Sequence, residues 1–428
     1  MSGLTSRADT GLWGVSTTEW VTTRPLDRDL DVNLVVIGGG YTGCSAALEA
    51  ARSGASVALL EAKFIGHGGS GRNVGLVNAG LWLPPDAILR QMGESAGMRL
   101  LEDLGKGPEA VFRIIEREAI ECEPVRAGTL HLAHSAAGRA DLEDRYRQGN
   151  RIGAPLRLLD ADETARRTGT RRFHGALFDP RAGTIQPLAY CQGLARAAQA
   201  KGAHLFEASP ADGVVRDGDR WRVSANGHDV RAAALLVATN AYPRFVTGLA
   251  QARFSVVTYG QFATEPLPDD MRAQILPDGE GCWDTAMVMS SFRVDRAGRL
   301  ILGGMGSAGG PAGAIHGAWA RRKLREVFPA LAGVPFAHRW HGRIAMTADH
   351  IPKVLRIGPR ACAVFGYSGR GIAPGTVFGT SAARALLNDQ PDAFPIPVQD
   401  AYSERFTAAR TAFFEFGAAV AHAVDPLR

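Results

Sequence analysis

Four continuous apolar runs in the chain predict buried parallel strands. They are Val32–Ile37, Val57–Leu60, Ala233–Ala238 and Ala361–Phe365. Between the first two runs, the alanine-rich segment Tyr41–Ser53 predicts a helix that ends at Gly54. Strand, helix and strand in this order form a βαβ unit, and the later runs predict that more of the same sheet returns far along the chain.

A second pattern fills the segments between these runs. Residues 253–305 alternate as antiparallel strands do, over Arg253–Thr264, Ala286–Phe292 and Arg299–Leu302. Shorter strands are predicted at Thr129–Ala133, His204–Glu207 and Trp221–Ser224. Helices are predicted at Asp86–Glu118, 139–172, Leu188–Lys201, His316–Phe328, Thr376–Leu387 and Arg405–Val424. The fold class is therefore α/β, with a doubly wound domain that is discontinuous in sequence and an inserted antiparallel sheet.

Composition narrows the function classes. The chain has 428 residues, of which 46% are hydrophobic and 21% are charged, so long disorder is excluded. A net charge of +5 without a basic, aromatic-interleaved stripe gives no support for nucleic-acid binding. The N-terminus has no apolar core of signal-peptide length, and no segment is apolar over the length of a transmembrane helix, so we expect a cytoplasmic protein.

Cysteine and histidine spacing gives no sign of a metal site. The five cysteines are odd in number and far apart, so neither a disulfide framework nor a zinc or iron–sulfur site is expected. His131 and His134, like His338 and His341, are three residues apart. Strand residues at this spacing face opposite sides, so neither pair is expected to bind a metal.

The segment after the first strand carries the chemistry. Gly38, Gly40 and Gly43 form the pattern GxGxxG between a strand and a helix. The first glycine permits a tight turn, the second lets the backbone approach a pyrophosphate, and the third allows close packing of helix on strand. Glu61 ends the second strand, where a carboxylate accepts hydrogen bonds from ribose hydroxyls and repels a 2′-phosphate. A dinucleotide site other than one for NADP is predicted.

Two further glycine-rich loops bear on the choice between FAD and NAD. One covers 66–75, directly after Glu61, and the other covers 366–371, after the last buried strand. Three such loops spread over the chain favour an extended flavin over a nicotinamide cofactor, which remains the alternative.

At this point the chain resembles the FAD-dependent amine and amino-acid oxidase superfamily, and within it the gamma-glutamylputrescine oxidase group. The segments that carry the resemblance appear in the order found in the family. They are VVIGGGYTG (35–43), LLEA (59–62), GGSGRNVG (68–75), GTIQPLAYCQGLA (183–195), VATNAY (237–242), ATEPL (263–267) and FGYSGRGIAPGTVFG (365–379).

The resemblance implies a flavin domain of the glutathione-reductase type and an α+β substrate domain whose antiparallel sheet covers the flavin. It implies an N-terminal arm (1–30), an FAD-binding domain (31–90, 175–250, 340–390), a substrate domain (91–174, 251–339) and a C-terminal helix (391–428). The residues implied to bind FAD are Gly38, Gly40, Tyr41, Thr42, Gly43, Glu61, Ala62, Gly69, Ser70, Gly71, Arg72, Asn73, Val74, Gly75, Thr239, Asn240, Gly342, Gly366, Gly369, Arg370, Gly371, Ile372 and Ala373. His67 matches no attachment motif, so FAD is expected to be noncovalent.

Three arginines are the candidate catalytic residues. Arg72 would hold a phosphate or a substrate carboxylate, or else pair with a nearby acid or cap a helix. Arg370 would stabilise reduced flavin or the substrate's acid group, or else point to solvent. Arg343 is a candidate clamp for a substrate carboxylate. Tyr259, Gln261, Trp283 and Arg293 lie on predicted strands of the covering sheet, where they either face substrate or are ordinary sheet residues.

The reaction implied is oxidation of a C–N bond in a small amine or amino acid, with a secondary amine favoured. Hydride passes to flavin N5, the imine is hydrolysed, and oxygen is the expected acceptor. The stretch 253–305 lacks the lysine that sarcosine-oxidase relatives carry above the flavin, so a dehydrogenase that passes electrons to a quinone or flavoprotein is the alternative. A third reading is an FAD-binding protein without catalysis. The sequence gives no oligomeric state.

Overall fold

The computed structural model describes residues 10–424, in which helices surround two large β-sheets. The helices are Leu12–Ser16 (α1), Tyr41–Arg52 (α2), Pro85–Met92 (α3), Glu94–Gly105 (α4), Gly107–Arg117 (α5), Ala136–Arg151 (α6), Ala161–Thr168 (α7), Pro187–Ala200 (α8), Asp269–Arg272 (α9), Gly313–Val327 (α10), Ile372–Asn388 (α11) and Thr407–Val424 (α12).

The strands are Leu30–Ile37 (β1), Val57–Leu60 (β2), Leu76–Val77 (β3), Thr129–Leu132 (β4), Arg157–Leu159 (β5), Ala176–Asp179 (β6), Gly183–Thr184 (β7), His204–Phe206 (β8), Ala211–Asp217 (β9), Arg220–Ala225 (β10), His228–Val237 (β11), Ser255–Pro266 (β12), Gly281–Asp284 (β13), Ser290–Val294 (β14), Arg299–Met305 (β15), Phe336–Met346 (β16), Lys353–Gly358 (β17) and Ala361–Phe365 (β18).

The first sheet is built on a parallel centre. Its strands follow the order β17-β18-β11-β1-β2-β8, and β9 and β10 extend it as an antiparallel meander from β11. The pairs from β18 to β8 are parallel. Leu34, Val35 and Val36 of β1 are fully buried, because helices cover one face of the sheet and the β9–β10 meander covers part of the other. The predicted α/β fold, with a parallel sheet that is discontinuous in sequence, is confirmed.

Glycines set the distance between the two helices that begin at the carboxyl edge of this sheet. A Cβ atom on Gly379 of α11 would lie 2.3 Å from the Thr42 carbonyl oxygen of α2. One on Gly375 would lie 3.1 Å from Tyr41 Cβ. The two helices therefore pack backbone to backbone, which brings both of their N-termini to the same part of the edge.

The second sheet has the order β16-β12-β15-β14-β13-β4-β6-β5. Its pairs are antiparallel except β13–β4. Its own core lies between the strands and α10, with Phe292, Leu302, Trp319 and Leu324 buried. The short strands β3 and β7 pair beside it as a small antiparallel sheet. The predicted antiparallel sheet is confirmed, and it is larger than the alternating pattern indicated.

Several elements differ from the sequence prediction. Residues 139–172 are not helical throughout, since the strand β5 lies between α6 and α7 and pairs with β6. The strand predicted at Ala286–Phe292 begins only at Ser290, because 285–289 form a loop. The strands that were not predicted are β3, β5, β6, β7, β9, β13, β16 and β17. The proposed domain boundary at 339/340 falls inside β16, and the boundaries stay a prediction.

The N-terminal arm packs on the rest of the protein, and the cysteines are unpaired. The part of the predicted arm from Thr10 onward packs on the body, with Leu12 and Trp13 fully buried; residues 1–9 and 425–428 lie outside the described residues. All five cysteines are buried free thiols. Over residues 10–424, no helix combines the length and the apolar character needed to cross a bilayer.

Candidate active site

A cavity of about 690 Å³ lies between the two sheets. The carboxyl ends of β1, β2 and β11 form one wall, and β12, β14, β15 and β16 form the opposite wall. Residues of α12, among them Phe413 and Phe414, border the same space. Open α/β sheets bind ligands at the carboxyl ends of their strands, and the volume is that of a cofactor site.

The glycines of the GxGxxG segment have the geometry of a dinucleotide turn. Gly38 has φ +112°, and a Cβ atom there would lie 2.8 Å from the Ala238 carbonyl oxygen. Gly40 is the N-cap of α2 and has no side chain to cap the helix. A Cβ atom on Gly43 would lie 1.9 Å from the Gly38 carbonyl oxygen, so α2 lies directly on the turn. The positive end of α2 thus faces the cavity, with a glycine as its N-cap residue.

Glu61 closes this end of the cavity. Its carboxylate accepts hydrogen bonds from the backbone N–H of Gly39 at 2.8 Å and of Lys63 at 2.9 Å. Burial raises the pKa of Glu61, and these two hydrogen bonds act in the opposite direction. The carboxylate is therefore fixed between the first glycine loop and the segment after β2.

A second helix begins at the same cavity. Gly371 is the N-cap of α11, and a Cβ atom there would meet no other atom within 4 Å. The same holds for Gly369, whose φ is +98°. Two helix starts whose N-cap residues are glycines, open space at two glycines and a fixed carboxylate fit a dinucleotide with a pyrophosphate between the helices.

A hydrogen-bond network fixes the loop 68–75 against α2. The Tyr41 backbone N–H donates to Ser70 Oγ at 3.0 Å, and the Tyr41 hydroxyl donates to the Ser70 carbonyl at 2.6 Å. Asn73 Nδ2 donates to the Tyr41 hydroxyl at 3.0 Å, and Asn73 Oδ1 accepts from the Gly75 N–H at 2.8 Å. The Asn240 Oδ1 atom accepts from the Gly366 N–H at 2.9 Å, which ties the end of β11 to the end of β18.

Most of the predicted cofactor residues border the cavity. They are Gly38, Gly40, Tyr41, Thr42, Glu61, Ala62, Gly69, Ser70, Arg72, Asn73, Val74, Thr239, Asn240, Gly342, Gly369, Arg370, Gly371, Ile372 and Ala373. Gly43, Gly71, Gly75 and Gly366 lie behind its wall. In the first three, a Cβ atom would come within 2.3 Å of a backbone oxygen, so these glycines allow close packing of the loops.

The three candidate arginines border the same cavity but differ in their surroundings. Arg72 donates from Nε to the His67 carbonyl at 2.7 Å and from Nη1 to the His341 carbonyl at 3.3 Å. Arg343 is exposed, and its guanidinium lies 5.6 Å from the centre of the Tyr242 ring. Arg72 thus bridges the loop to β16, whereas Arg343 lies at the mouth.

Arg370 is half-buried and lies between two tryptophan rings. Its Nη1 donates to the Ala79 carbonyl at 2.7 Å. Its guanidinium lies 5.3 Å from the centre of the Trp283 ring and 5.9 Å from that of Trp82. Among the described residues it forms no ion pair, and burial lowers its pKa to about 9. The carboxylate that acts on it, that of Asp179, pairs with Arg181 at 2.7 Å, so a cation without its own ion pair in the described structure lies beside the cavity.

The wall contributed by the second sheet includes residues named from the sequence and others that were missed. Tyr259, Gln261 and Trp283 border the cavity, whereas Arg293 is 1% exposed and lies behind the loop 72–75. Tyr242 and Trp82 were missed. The Tyr242 hydroxyl accepts the Arg343 N–H at 2.8 Å. Tyr242 lies in the VATNAY segment, so the family resemblance could have pointed to it. Trp82 lies in none of the segments that carry the resemblance.

This fold and this cavity define a dinucleotide-dependent oxidoreductase. The chain belongs to the family of FAD-dependent oxidoreductases, whose DAO family model matches residues 33–385. The predicted FAD dependence and the relation to amine and amino-acid oxidases are confirmed.

Individual relatives cover most of the chain. Gamma-glutamylputrescine oxidoreductase of Escherichia coli (strain K12) is 30% identical over 412 residues, 91% of this chain and 93% of the relative. The probable oxidoreductase OrdL of Rhizobium meliloti (strain 1021) is 31% identical over 350 residues, 81% of either chain. The crystal structure of glycine oxidase from Geobacillus kaustophilus shares the fold, with a TM-score of 0.71, 19% identity and coverage of 87% of this chain and 99% of the other.

Proposed function

We propose that the protein oxidises the C–N bond of a small amine or amino acid that carries a carboxylate, with a secondary amine favoured. The observation that carries the substrate class is Arg370, a half-buried cation beside the cavity that forms no ion pair in the described structure, since the nearby Asp179 pairs with Arg181. Relatives named gamma-glutamylputrescine oxidoreductase and glycine oxidase support oxidation of an amine. Bound FAD supplies a hydride acceptor at N5 for the C–H next to the amine nitrogen, and water hydrolyses the resulting imine to a carbonyl.

The chain's own residues hold the cofactor in this proposal. Glu61 accepts hydrogen bonds from the adenosine ribose, and the starts of α2 and α11 stabilise the pyrophosphate. Tyr259, Gln261 and Trp283 cover the flavin from the second sheet. No covalent attachment is proposed. Burial, with Arg72 as a smaller cause, lowers the pKa of His67 to about 4.

The charges around the cavity favour an anionic group and a neutral amine. Of the described residues that border it, Glu61 is the one acid, and four are arginines: Arg72, Arg244, Arg343 and Arg370. An ammonium group would meet this positive field, and Asp179, the carboxylate that acts on Arg370, is already paired with Arg181. Hydride loss also requires the nitrogen lone pair, so the substrate reacts as the free amine while its carboxylate is held by an arginine.

The first experiment compares flavin bleaching under nitrogen by pairs of amines that differ only in a carboxylate. We expect the carboxylated member to bleach the wild-type enzyme at a lower concentration. In Arg370→Met, its half-saturating concentration should rise about 10- to 100-fold, the cost of a lost charged hydrogen bond. The matched control is Arg343→Met at the exposed mouth, which should have a smaller effect. Equal effects of Arg370→Met on both members of a pair would contradict the assignment.

We propose oxygen as the electron acceptor. The second candidate, a dehydrogenase, is favoured by one observation: no lysine is among the described residues that border the cavity. Lys323 of α10, in the second-sheet region, lies 3.5 Å from Asp284. Admitting air to the bleached enzyme separates the two. One hydrogen peroxide for each flavin reoxidised supports the oxidase, whereas a flavin that stays reduced in air but is reoxidised by a quinone supports the dehydrogenase.

A further inference from the structure

We propose that Trp13 and Trp340 are positioning residues that hold the loop 72–75 against the cofactor cavity. Trp13 belongs to the N-terminal arm, 60 positions before Asn73, and Trp340 belongs to β16. The inference rests on the proposed position of FAD, because the loop borders the cavity assigned to it. It assigns to the arm a role in cofactor binding.

Three side chains donate hydrogen bonds to backbone carbonyls of the loop, on the side away from the cavity. Trp340 Nε1 donates to the Arg72 carbonyl at 3.0 Å, and Trp13 Nε1 donates to the Asn73 carbonyl at 2.8 Å. Arg293 Nη1 donates to the Gly75 carbonyl at 3.4 Å and also to the Ile185 carbonyl. An indole has one donor and no acceptor, so each tryptophan fixes one carbonyl without competing for the N–H groups of the loop.

These three side chains form one buried cluster. Trp13 is 0% exposed, Arg293 is 1% exposed and Trp340 is 4% exposed. The two indoles meet edge to face with 5.7 Å between ring centroids, and the Arg293 guanidinium lies 5.7 Å from the Trp13 ring. Displacing one member would therefore disturb the other two. The cluster joins the arm, the second sheet and the loop at a single point.

The arm itself is anchored close to Trp13. Gly11 has φ +65°, and a Cβ atom there would lie 2.6 Å from the Trp340 ring, so only glycine fits. Gln186, the N-cap residue of α8, donates from Nε2 to the Trp13 carbonyl at 3.1 Å. Farther along, Arg196 pairs with the buried Glu19 at 2.8 Å. These contacts make the arm a fixed part of the wall.

These hydrogen bonds determine what the loop presents to the cavity. With the carbonyls of Arg72 and Asn73 held behind the loop, the Asn73 side chain reaches the Tyr41 hydroxyl and the Gly75 N–H. Tyr41 is the first residue of α2, at the proposed pyrophosphate site. A shift of the loop would therefore be transmitted to the start of α2, where it would weaken the hold on FAD.

The test measures FAD binding in place of turnover. The apoprotein is titrated with FAD, and the quenching of flavin fluorescence gives the dissociation constant. Trp13→Phe and Trp340→Phe each keep an aromatic ring and remove one donor, so each should raise the dissociation constant about 5- to 10-fold. In the double variant, the dissociation constant should rise by less than the product of the two single fold-changes, because both tryptophans act on one loop.

The matched control is Trp221→Phe. Trp221 is 6% exposed, and its Nε1 donates to the Pro359 carbonyl at 3.0 Å, away from the loop. It should lower the melting temperature of the apoprotein as the test variants do, yet leave the dissociation constant unchanged. Wild-type affinity in both Trp13→Phe and Trp340→Phe would overturn the inference alone. A wild-type apoprotein that binds no FAD would instead overturn the proposed function, and this inference with it.

Discussion

At the scale of single residues, the glycines of the cavity divide into those that pack and those that leave room. Gly43 has the backbone of the dinucleotide turn 1.9 Å from where a Cβ atom would lie, whereas Gly371 has open space. Both occur in glycine-rich motifs, and the sequence gives them the same appearance. The distinction is one of folded geometry, so a substitution should affect stability at the first and the cofactor at the second.

Gly43→Ala should destabilise the fold by about 3 kcal/mol, because the added methyl group meets a backbone oxygen that cannot move without opening the turn. Urea unfolding gives the free energy of unfolding. The control is Gly317→Ala in α10, where the nearest atom would lie at 4.0 Å and the change should be neutral or stabilising. Equal stability of the two variants would show that α2 does not lie on the turn as described.

Glu61→Gln should weaken FAD binding about tenfold or more. The amide keeps one acceptor, but it places a donor toward either a backbone N–H or the ribose. The control is Glu207→Gln, since Glu207 also accepts a backbone N–H, that of Ile65 at 2.8 Å, but does not border the cavity. Fluorescence titration of both apoproteins with FAD distinguishes them. A larger loss in Glu207→Gln would argue against ribose binding by Glu61.

At the scale of elements, the C-terminal helix α12 is attached through a pair of histidines. His422 Nδ1 lies 2.7 Å from His316 Nδ1 of α10, and the His422 ring stacks on Trp319 at 4.0 Å. Burial lowers the pKa of His422 to about 3, with smaller contributions from His316, Arg322 and Lys323. Burial also lowers the pKa of His316, which Glu415 partly offsets. The docked helix thus requires neutral rings.

This arrangement predicts that acid loosens α12. The pKa of His422 is lower in the folded state than the value near 6.5 expected when unfolded, so the stabilisation is complete above about pH 6.5 and is lost as the pH falls toward 3. For His422 alone the loss between pH 7.5 and 5 should be about 2 kcal/mol. His422→Phe, which keeps a ring on Trp319, should be less sensitive to acid than the wild type.

The exposed histidine of β8 provides the control for this comparison. His204→Gln should keep the full acid sensitivity of the wild type in the same unfolding measurement. Hydrogen exchange of α12 at pH 5 and pH 7.5 adds a local readout. Identical pH profiles for His422→Phe and the wild type would show that the histidine pair does not govern the docking of α12.

The elements also show how far the sequence determines the prediction. β1, α2 and β2 were predicted almost to the residue, because a fully buried strand and an alanine-rich helix have strong local patterns. β16 was missed, since His338, Arg339, His341 and Arg343 interrupt its apolar positions. It is a strand because it pairs with β12 along its length, from Ser255 opposite Met346 onward. Pairing between distant segments leaves no local signal.

The same reasoning applies to the site. Its glycine loops and Glu61 were predictable, since a dinucleotide turn requires those residues at that spacing. The neighbours of Arg370 were not, because Trp82 and Trp283 come from a loop and from β13, and only folding brings them together. Trp13 was visible in the sequence as an apolar residue of the arm, but its hydrogen bond to Asn73 spans 60 positions.

At the scale of the whole molecule, the proposed cofactor lies between two sheets with separate cores. The first core packs around the parallel strands, and the second packs between the antiparallel strands and α10. The cavity is bordered by both sheets and by α12, so a cofactor that fills it would touch all three. Binding should therefore stabilise the parts together.

Removal of FAD should lower the melting temperature of the entire protein in one transition. At FAD concentrations about 100-fold above the dissociation constant, linkage adds about 2.7 kcal/mol to the free energy of unfolding, so the melting temperature should rise steadily with FAD concentration. Calorimetry of apoprotein and reconstituted protein measures this rise. In Glu61→Gln the same rise should require about tenfold more FAD, in line with its weaker binding.

The shape of the calorimetric transition carries the architectural part of the prediction. If the cofactor bridges the two sheets, FAD moves the complete transition, including the exposure of Trp319 beside α12. If it touched only the parallel sheet, FAD would shift one portion and leave the unfolding of the second sheet and α12 at a fixed temperature. Such a split, or a melting temperature independent of FAD, would contradict a binding site between the sheets. Linkage requires that every part of the protein that FAD contacts in the folded state unfolds at a higher temperature when FAD is present.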